Sequence, residues 1–109
     1  MPAEILYTVV ETDEFIAQAV KIWTDKDREK FIGFIAANPE AGDVIPRTGG
    51  ARKVRWAASG RGKRGGARVI YFNQLDDGLI VLLTVYVKAE QDSLPNKTVR
   101  KSKHEAQKH

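Results

Sequence analysis

The chain has no cysteine, and its only two histidines, His104 and His109, lie in a polar carboxyl-terminal stretch. Disulfides, thiolate nucleophiles and clusters with metal-ligand spacing are therefore not expected, and the composition suits a reducing cytoplasm. No apolar run is long enough to span a bilayer. The start M-P-A-E-I-L lacks the basic flank and apolar core of a secretion signal, so no membrane role is expected. With 109 residues, 42% apolar and 29% charged, the composition is that of a soluble globular protein with room for one core. One further absence is local: from Val44 to Leu75 there is no Asp or Glu.

That acid-free stretch holds eight basic residues: Arg47, Arg52, Lys53, Arg55, Arg61, Lys63, Arg64 and Arg68. Residues 1–43 carry nine acids against four bases, and residues 76–109 five against six. The formal net charge of +4 thus conceals segments of −5, +8 and +1. A basic block with no acids inside it concentrates positive potential and attracts phosphate. Alternation over residues 51–58 puts Val54, Trp56 and Ala58 on one side of a strand and Lys53, Arg55 and Ala57 on the other. Residues 68–72 (R-V-I-Y-F) read as a second strand, joined to the first by the glycine-rich S-G-R-G-K-R-G-G. A basic hairpin of this kind presents charge from one strand face and from its tip. The other reading, a solvated loop between structural strands, fits less well because solvated faces mix both signs.

The rest of the chain supplies a scaffold. Residues 5–10 (I-L-Y-T-V-V) are β-prone and read as an edge strand. Thr12 or Asp13 caps a helix with apolar Phe15, Ile16, Ala19, Val20 and Trp23 at helical spacing. A second helix starts at Thr24, buries Phe31, Phe34 and Ile35, and ends at Asn38-Pro39. Residues 39–50 are a loop by composition, Asp76-Asp77-Gly78 is a hairpin turn, and residues 79–87 (L-I-V-L-L-T-V-Y-V) are a strand covered on both faces. The expected architecture is α+β: one strand, two helices, then three antiparallel strands, in two layers. Residues 1–94 are expected to form the single domain and residues 95–109 a basic, flexible tail.

The run G-D-V-I-P-R-T-G-G-A-R-K-V-R-W-A-A-S-G-R-G-K-R-G-G-A-R-V-I-Y-F, followed by L-L-T-V-Y-V-K, resembles the HigB branch of the RelE/ParE toxin superfamily. The similarity covers about residues 25–94. It implies the RelE-like β-α-α-β-β-β fold and the toxin of a type II toxin–antitoxin system. Such a toxin is a ribosome-dependent messenger RNA endoribonuclease that inhibits translation in the cytoplasm and needs no cofactor or metal. Its partners would be the ribosome, the message and a cognate antitoxin of the HigA type, bearing a helix-turn-helix. Carried over by position, Lys53 and Arg55 match the basic pair on the first hairpin strand. Arg68 matches the arginine that contacts the scissile phosphate, and Lys88 a basic residue closing the last strand. On these matches transition-state charge is assigned to Arg68, clamping to Arg55 and the leaving group to Lys88, with proton abstraction falling to Lys53 if its basic neighbours favour the neutral amine. Arg47, Arg52, Arg61, Lys63 and Arg64 would hold RNA backbone, and Tyr86 would stack on a base unless it is ordinary strand packing, the commoner role of a tyrosine there.

The chain departs from that pattern after Lys88, reading Ala89-Glu90-Gln91 where Asn, Glu and Lys are common. If that Asn or Lys takes part in the chemistry, activity would be weakened. Two other functions remain open from sequence: a non-catalytic interaction toxin, as in the gyrase-directed ParE relatives, and a plain RNA-binding module. Strand alternation groups Arg68 with Ile70 and Phe72, which puts it on the covered face unless a bulge re-aims it. Only the register of the two basic strands decides whether that face is also the face of Lys53 and Arg55.

Overall fold

The computed structural model describes residues 6–56 and 66–87. Two threonines frame its amino-terminal half. Thr12 Oγ1 accepts the Phe15 amide at 3.2 Å and caps α1 (Asp13–Ile22), while Thr24 Oγ1 accepts the Asp27 amide at 3.1 Å and caps α2 (Asp25–Ala37). Each hydroxyl satisfies an amide that the first helical turn leaves without a partner. Asp13 and Glu14, then Asp25 and Asp27, place negative charge at the positive ends of the two helix dipoles. Asn38 closes α2, its side chain donating to the Phe34 carbonyl at 2.9 Å ahead of Pro39.

Among the described residues the strands are β1 (Thr8–Glu11), β2 (Asp43–Val44), β3 (Arg52–Trp56), β4 (Ala67–Gln74) and β5 (Leu79–Val87). They form one sheet in the order β1-β5-β4-β3-β2. The sheet is mixed rather than antiparallel throughout, because β1 pairs with β5 in parallel. The two helices carry the chain from one edge of the sheet to the other, which leaves β1 to pair with the last strand to arrive. A strand was not expected within residues 39–50, yet β2 forms there and borders β3. Tyr71 fastens this segment: its hydroxyl donates to the Pro39 carbonyl at 2.8 Å and accepts the Gly42 amide at 2.9 Å. Gly42 is needed for the close approach, since a Cβ there would lie 2.7 Å from the Lys53 carbonyl oxygen. The β4–β5 turn is a 3-10 turn over Leu75–Asp77, closed by Gly78 at φ 74.

The helices cover one face of the sheet. Phe15, Ala19, Trp23, Phe31 and Ile35 pack there against Val54, Ala67, Val69, Tyr71, Ile80, Leu82 and Val85. Four ring contacts run from helix to sheet: Phe15–Trp23 (6.2 Å) and Trp23–Phe31 (5.4 Å) lie within the helix layer, while Phe31–Trp56 (5.5 Å) and Phe34–Trp56 (4.9 Å) tie it to β3. Ile16 and Val20, expected on the buried stripe of α1, are instead exposed. A helix lying on one sheet face buries only the narrow row Phe15, Ala19 and Trp23, and its flanks stay open. Part of the opposite sheet face has its own cluster of Ala51, Ile70, Phe72, Val81, Leu83 and Tyr86, with Ile45 packed against it.

Candidate nucleic-acid interface

The register of β3 on β4 resolves the question that strand alternation left open. Arg55 stands directly opposite Arg68, and Lys53 directly opposite Ile70. Directly paired residues project from the same face. Val54 and Trp56 on β3, with Ala67, Val69 and Tyr71 on β4, all point into the helix-side core. Lys53, Arg55 and Arg68 therefore share the opposite face. Trp56 fixes this orientation: held between Phe31 and Phe34, it turns Arg55 outward.

A β-bulge brings a further group to that row. Tyr71 pairs with Leu82, yet Ile70 pairs with Thr84, so Leu83 is an extra residue on β5. The insertion reverses the alternation beyond it. Without it Val85 would oppose Arg68; with it Tyr86 does, and Tyr86 joins the cluster on the basic face. Thr12 stabilises the irregularity, since its hydroxyl lies 2.8 Å from the Leu82 carbonyl and 3.1 Å from that of Leu83. A bulge was the device expected to re-aim Arg68; it re-aims β5 instead.

The row Arg55–Arg68–Tyr86 thus crosses three strands, with Lys53–Ile70–Thr84 beside it. Arg55 is exposed, and Lys53 and Arg68 are partly so. Among the described residues no carboxylate forms an ion pair with Lys53, Arg55 or Arg68; the pairs found are Arg28–Glu11 (3.6 Å) and Arg52–Glu40 (3.8 Å). Arg68 makes one long contact, Nη1 to the Gly66 carbonyl at 3.4 Å, which leaves most of its guanidinium unengaged by described residues. Two like charges in direct cross-strand register destabilise a sheet. An anion held between them would relieve that repulsion.

The other sequence-derived candidates are placed differently. Arg52 alternates to the helix-side face and is engaged there, donating to the Gly42 carbonyl at 2.7 Å beside Glu40, so it fastens β2 rather than joining the row. Arg47 is exposed in the turn between β2 and β3, at the opposite end of β3 from Arg55, with a left-handed φ of 65. Tyr86 is 6% exposed, its ring packed in the second cluster, so stacking on a base would require that cluster to open. Its hydroxyl is buried and has no hydrogen-bond partner among the described residues. Arg61, Lys63, Arg64, Lys88 and the tail at 95–109 lie outside the described residues. Among those described, no helix is long and apolar enough to cross a membrane, and no group of three or more His, Cys, Asp or Glu is placed to hold a metal ion.

Sequence reasoning missed one neighbour of the basic row: Asp43 on β2 stands opposite Lys53. The turn-rich P-R-T-G-G ahead of β3 was the available signal, since a tight return there pairs residues 43–44 with β3.

Burial raises the pKa of both core tyrosines. For Tyr71 the Gly42 hydrogen bond opposes the effect of burial, and for Tyr86 the Arg68 charge does. A folded pKa above the unfolded value means that the neutral phenols contribute stability fully present below pH about 10. That contribution is lost as pH rises through the raised values. Urea unfolding followed at increasing alkaline pH should show stability falling above pH about 10. Tyr71→Phe should reduce the slope of that fall. Arg68→Ala should move the Tyr86 phenolate transition, read by ultraviolet absorbance, still higher.

No family model matches the chain. Solved structures do. The structure of a free-state mutant of the E. coli toxin RelE superposes with a TM-score of 0.61 at 14% identity, covering 90% of this chain and 97% of that one. The toxin–antitoxin complex RelBE2 from Mycobacterium tuberculosis contains a chain that superposes with a TM-score of 0.58 at 19% identity, covering 82% of this chain and 99% of that one. The fold is RelE-like. In this RelE-like chain the helix pair lies on one sheet face and the basic row on the other, so the cationic groups stand clear of the scaffold that positions them.

Proposed function

We propose that the chain is the toxin of a type II toxin–antitoxin system, a ribosome-dependent endoribonuclease that cuts messenger RNA without a metal. One observation carries this reading: Lys53, Arg55 and Arg68 share one face, paired with no carboxylate among the described residues. The RelE-like fold supports it, as does the resemblance to the HigB branch. An antitoxin, of the HigA type by that resemblance, is the expected silencing partner, and the cytoplasm the expected setting.

The chemistry follows from the groups present. The 2′-hydroxyl of the nucleotide before the cut attacks its own phosphorus in line, and the 5′-oxygen leaves. Arg68 and Arg55 hold the phosphate oxygens and stabilise the charge that builds on them. Lys53 and Lys88 serve the proton transfers. The ribosome supplies the strained, in-line geometry of the message, which a face this small does not impose by itself. Arg47, Arg61, Lys63 and Arg64 add backbone contacts that carry no base information.

The test is the chemistry of the cut ends. A programmed ribosome complex incubated with the protein should yield fragments ending in 2′,3′-cyclic phosphate and beginning with 5′-hydroxyl. Fragments with 3′-hydroxyl ends would sink the mechanism. Intact messages in arrested cells would instead favour a non-catalytic toxin.

A further inference from the structure

The acid-free stretch begins one residue after Asp43, and the fold returns that acid to it. Asp43 on β2 and Lys53 on β3 are direct cross-strand partners, so their side chains leave the sheet on the same face. Ile45, two residues further on, packs into the cluster on that face, which fixes the side independently. Asp43 is exposed. Among the described residues its carboxylate has no ion pair or hydrogen bond, whereas Glu14, Glu40 and Glu11 are engaged by Thr84, Arg52 and Arg28. Asp76 and Asp77 sit on the β4–β5 turn, at the end of β4 away from Arg68.

We propose that Asp43 is the general base of the cleavage site, with Lys53 beside it as the proton donor. This rests on the nuclease reading above and replaces its assignment of the two proton transfers to Lys53 and Lys88. At neutral pH carboxylates as a class stand ready to accept a proton, whereas amines already carry one. A lysine must be deprotonated before it can act as a base; a neighbouring carboxylate need not be. The 2′-hydroxyl proton passes to an Asp43 Oδ as the oxygen's electron pair forms the O2′–P bond. The P–O5′ bond breaks with its electron pair on O5′, which takes a proton from Lys53 Nζ. The products are a 2′,3′-cyclic phosphate and a 5′-hydroxyl. The site is left with a neutral acid beside a neutral amine, and one proton passing from Asp43 to Lys53 restores both. No water, metal or oxidant is consumed. Arg55 and Arg68, on the next row of the same face, hold the phosphate between these events.

Asp43→Asn separates this role from an electrostatic one by the sign of its effect. Removing a negative charge beside the basic row should leave binding to a ribosome–message complex unchanged or tighter. Single-turnover cleavage should nevertheless fall by about 100-fold or more, and Asp43→Glu should recover a large part of the rate. Rates are normalised to folded protein by thermal unfolding, which should not shift, because Asp43 is exposed on a two-residue edge strand. Cleavage by Asp43→Asn at or above the wild-type rate overturns the general-base role while leaving the nuclease reading intact. A wild-type protein that leaves the message uncut overturns both.

Discussion

Replacing Lys53 and Arg68 together by alanine is expected to abolish growth arrest and to slow message cleavage by at least about 1,000-fold. The estimate follows from what each group is asked to supply. One preorganised donor to a developing oxyanion is worth about 100- to 1,000-fold, and a proton-transfer group about as much or more. Groups acting on one phosphate are strongly non-additive, so the double variant should be only modestly worse than the poorer single one. The loss should not come through unfolding. Lys53 and Arg68 are partly exposed and form no ion pair among the described residues, and surface substitutions of this kind stay within about 0.5 kcal/mol. Arg68 also stands directly across from Arg55, so its removal relieves a repulsion. A melting temperature that is unchanged or raised, antitoxin binding retained and cleavage lost is the expected triad. Growth arrest that survives the double substitution with messages intact would rule out the nuclease and leave a non-catalytic target.

That pairing of like charges explains why part of the site could be read in advance and part not. The side of β3 that carries Lys53 and Arg55 follows from alternation alone, because Val54 and Trp56 leave only one face for the core. Both helix caps are equally local, each threonine bonding an amide three residues on. Whether Arg68 faces the same way depends on which residue of β4 meets Arg55, and that is settled by pairing across a connection whose length does not dictate register. The place of Tyr86 depends on one inserted residue, Leu83, whose carbonyl finds Thr12 about seventy positions earlier in the chain. Asp43 was visible only as the last acid before a basic run. Its position beside Lys53 needs the close approach that Gly42 permits and the anchor that the Tyr71 hydroxyl provides, both long-range features. Arg52 shows the reverse case: charge alone groups it with its neighbours, while alternation sends it to the other face and into the hold of Gly42 and Glu40.

Phe31→Ala should cost about 3–5 kcal/mol of stability, the range for deleting a fully buried aromatic ring, without touching the chemistry directly. Phe31 is 0% exposed, and its ring meets Trp23 at 5.4 Å and Trp56 at 5.5 Å. It therefore joins α1, α2 and β3 at one point. Both tryptophans are large and held by other partners, Phe15 on one side and Phe34 on the other, so the space left behind collapses poorly. Domains of this size are typically stable by about 5–15 kcal/mol, so the variant should still fold at low temperature and unfold at a much lower urea midpoint. Its cleavage rate per folded molecule should stay within about tenfold of wild type, because Phe34 still holds Trp56 and the pairing of Arg55 with Arg68 is made by backbone hydrogen bonds. Setting this variant beside the Lys53/Arg68 double substitution gives opposite patterns: stability lost with chemistry kept, and chemistry lost with stability kept. If Phe31→Ala shifted unfolding by less than about 1 kcal/mol, the ring column would not be what fastens the helices to the sheet. If it silenced the folded protein, the orientation of Arg55 would depend on the column as a whole rather than on Trp56 and its remaining contact.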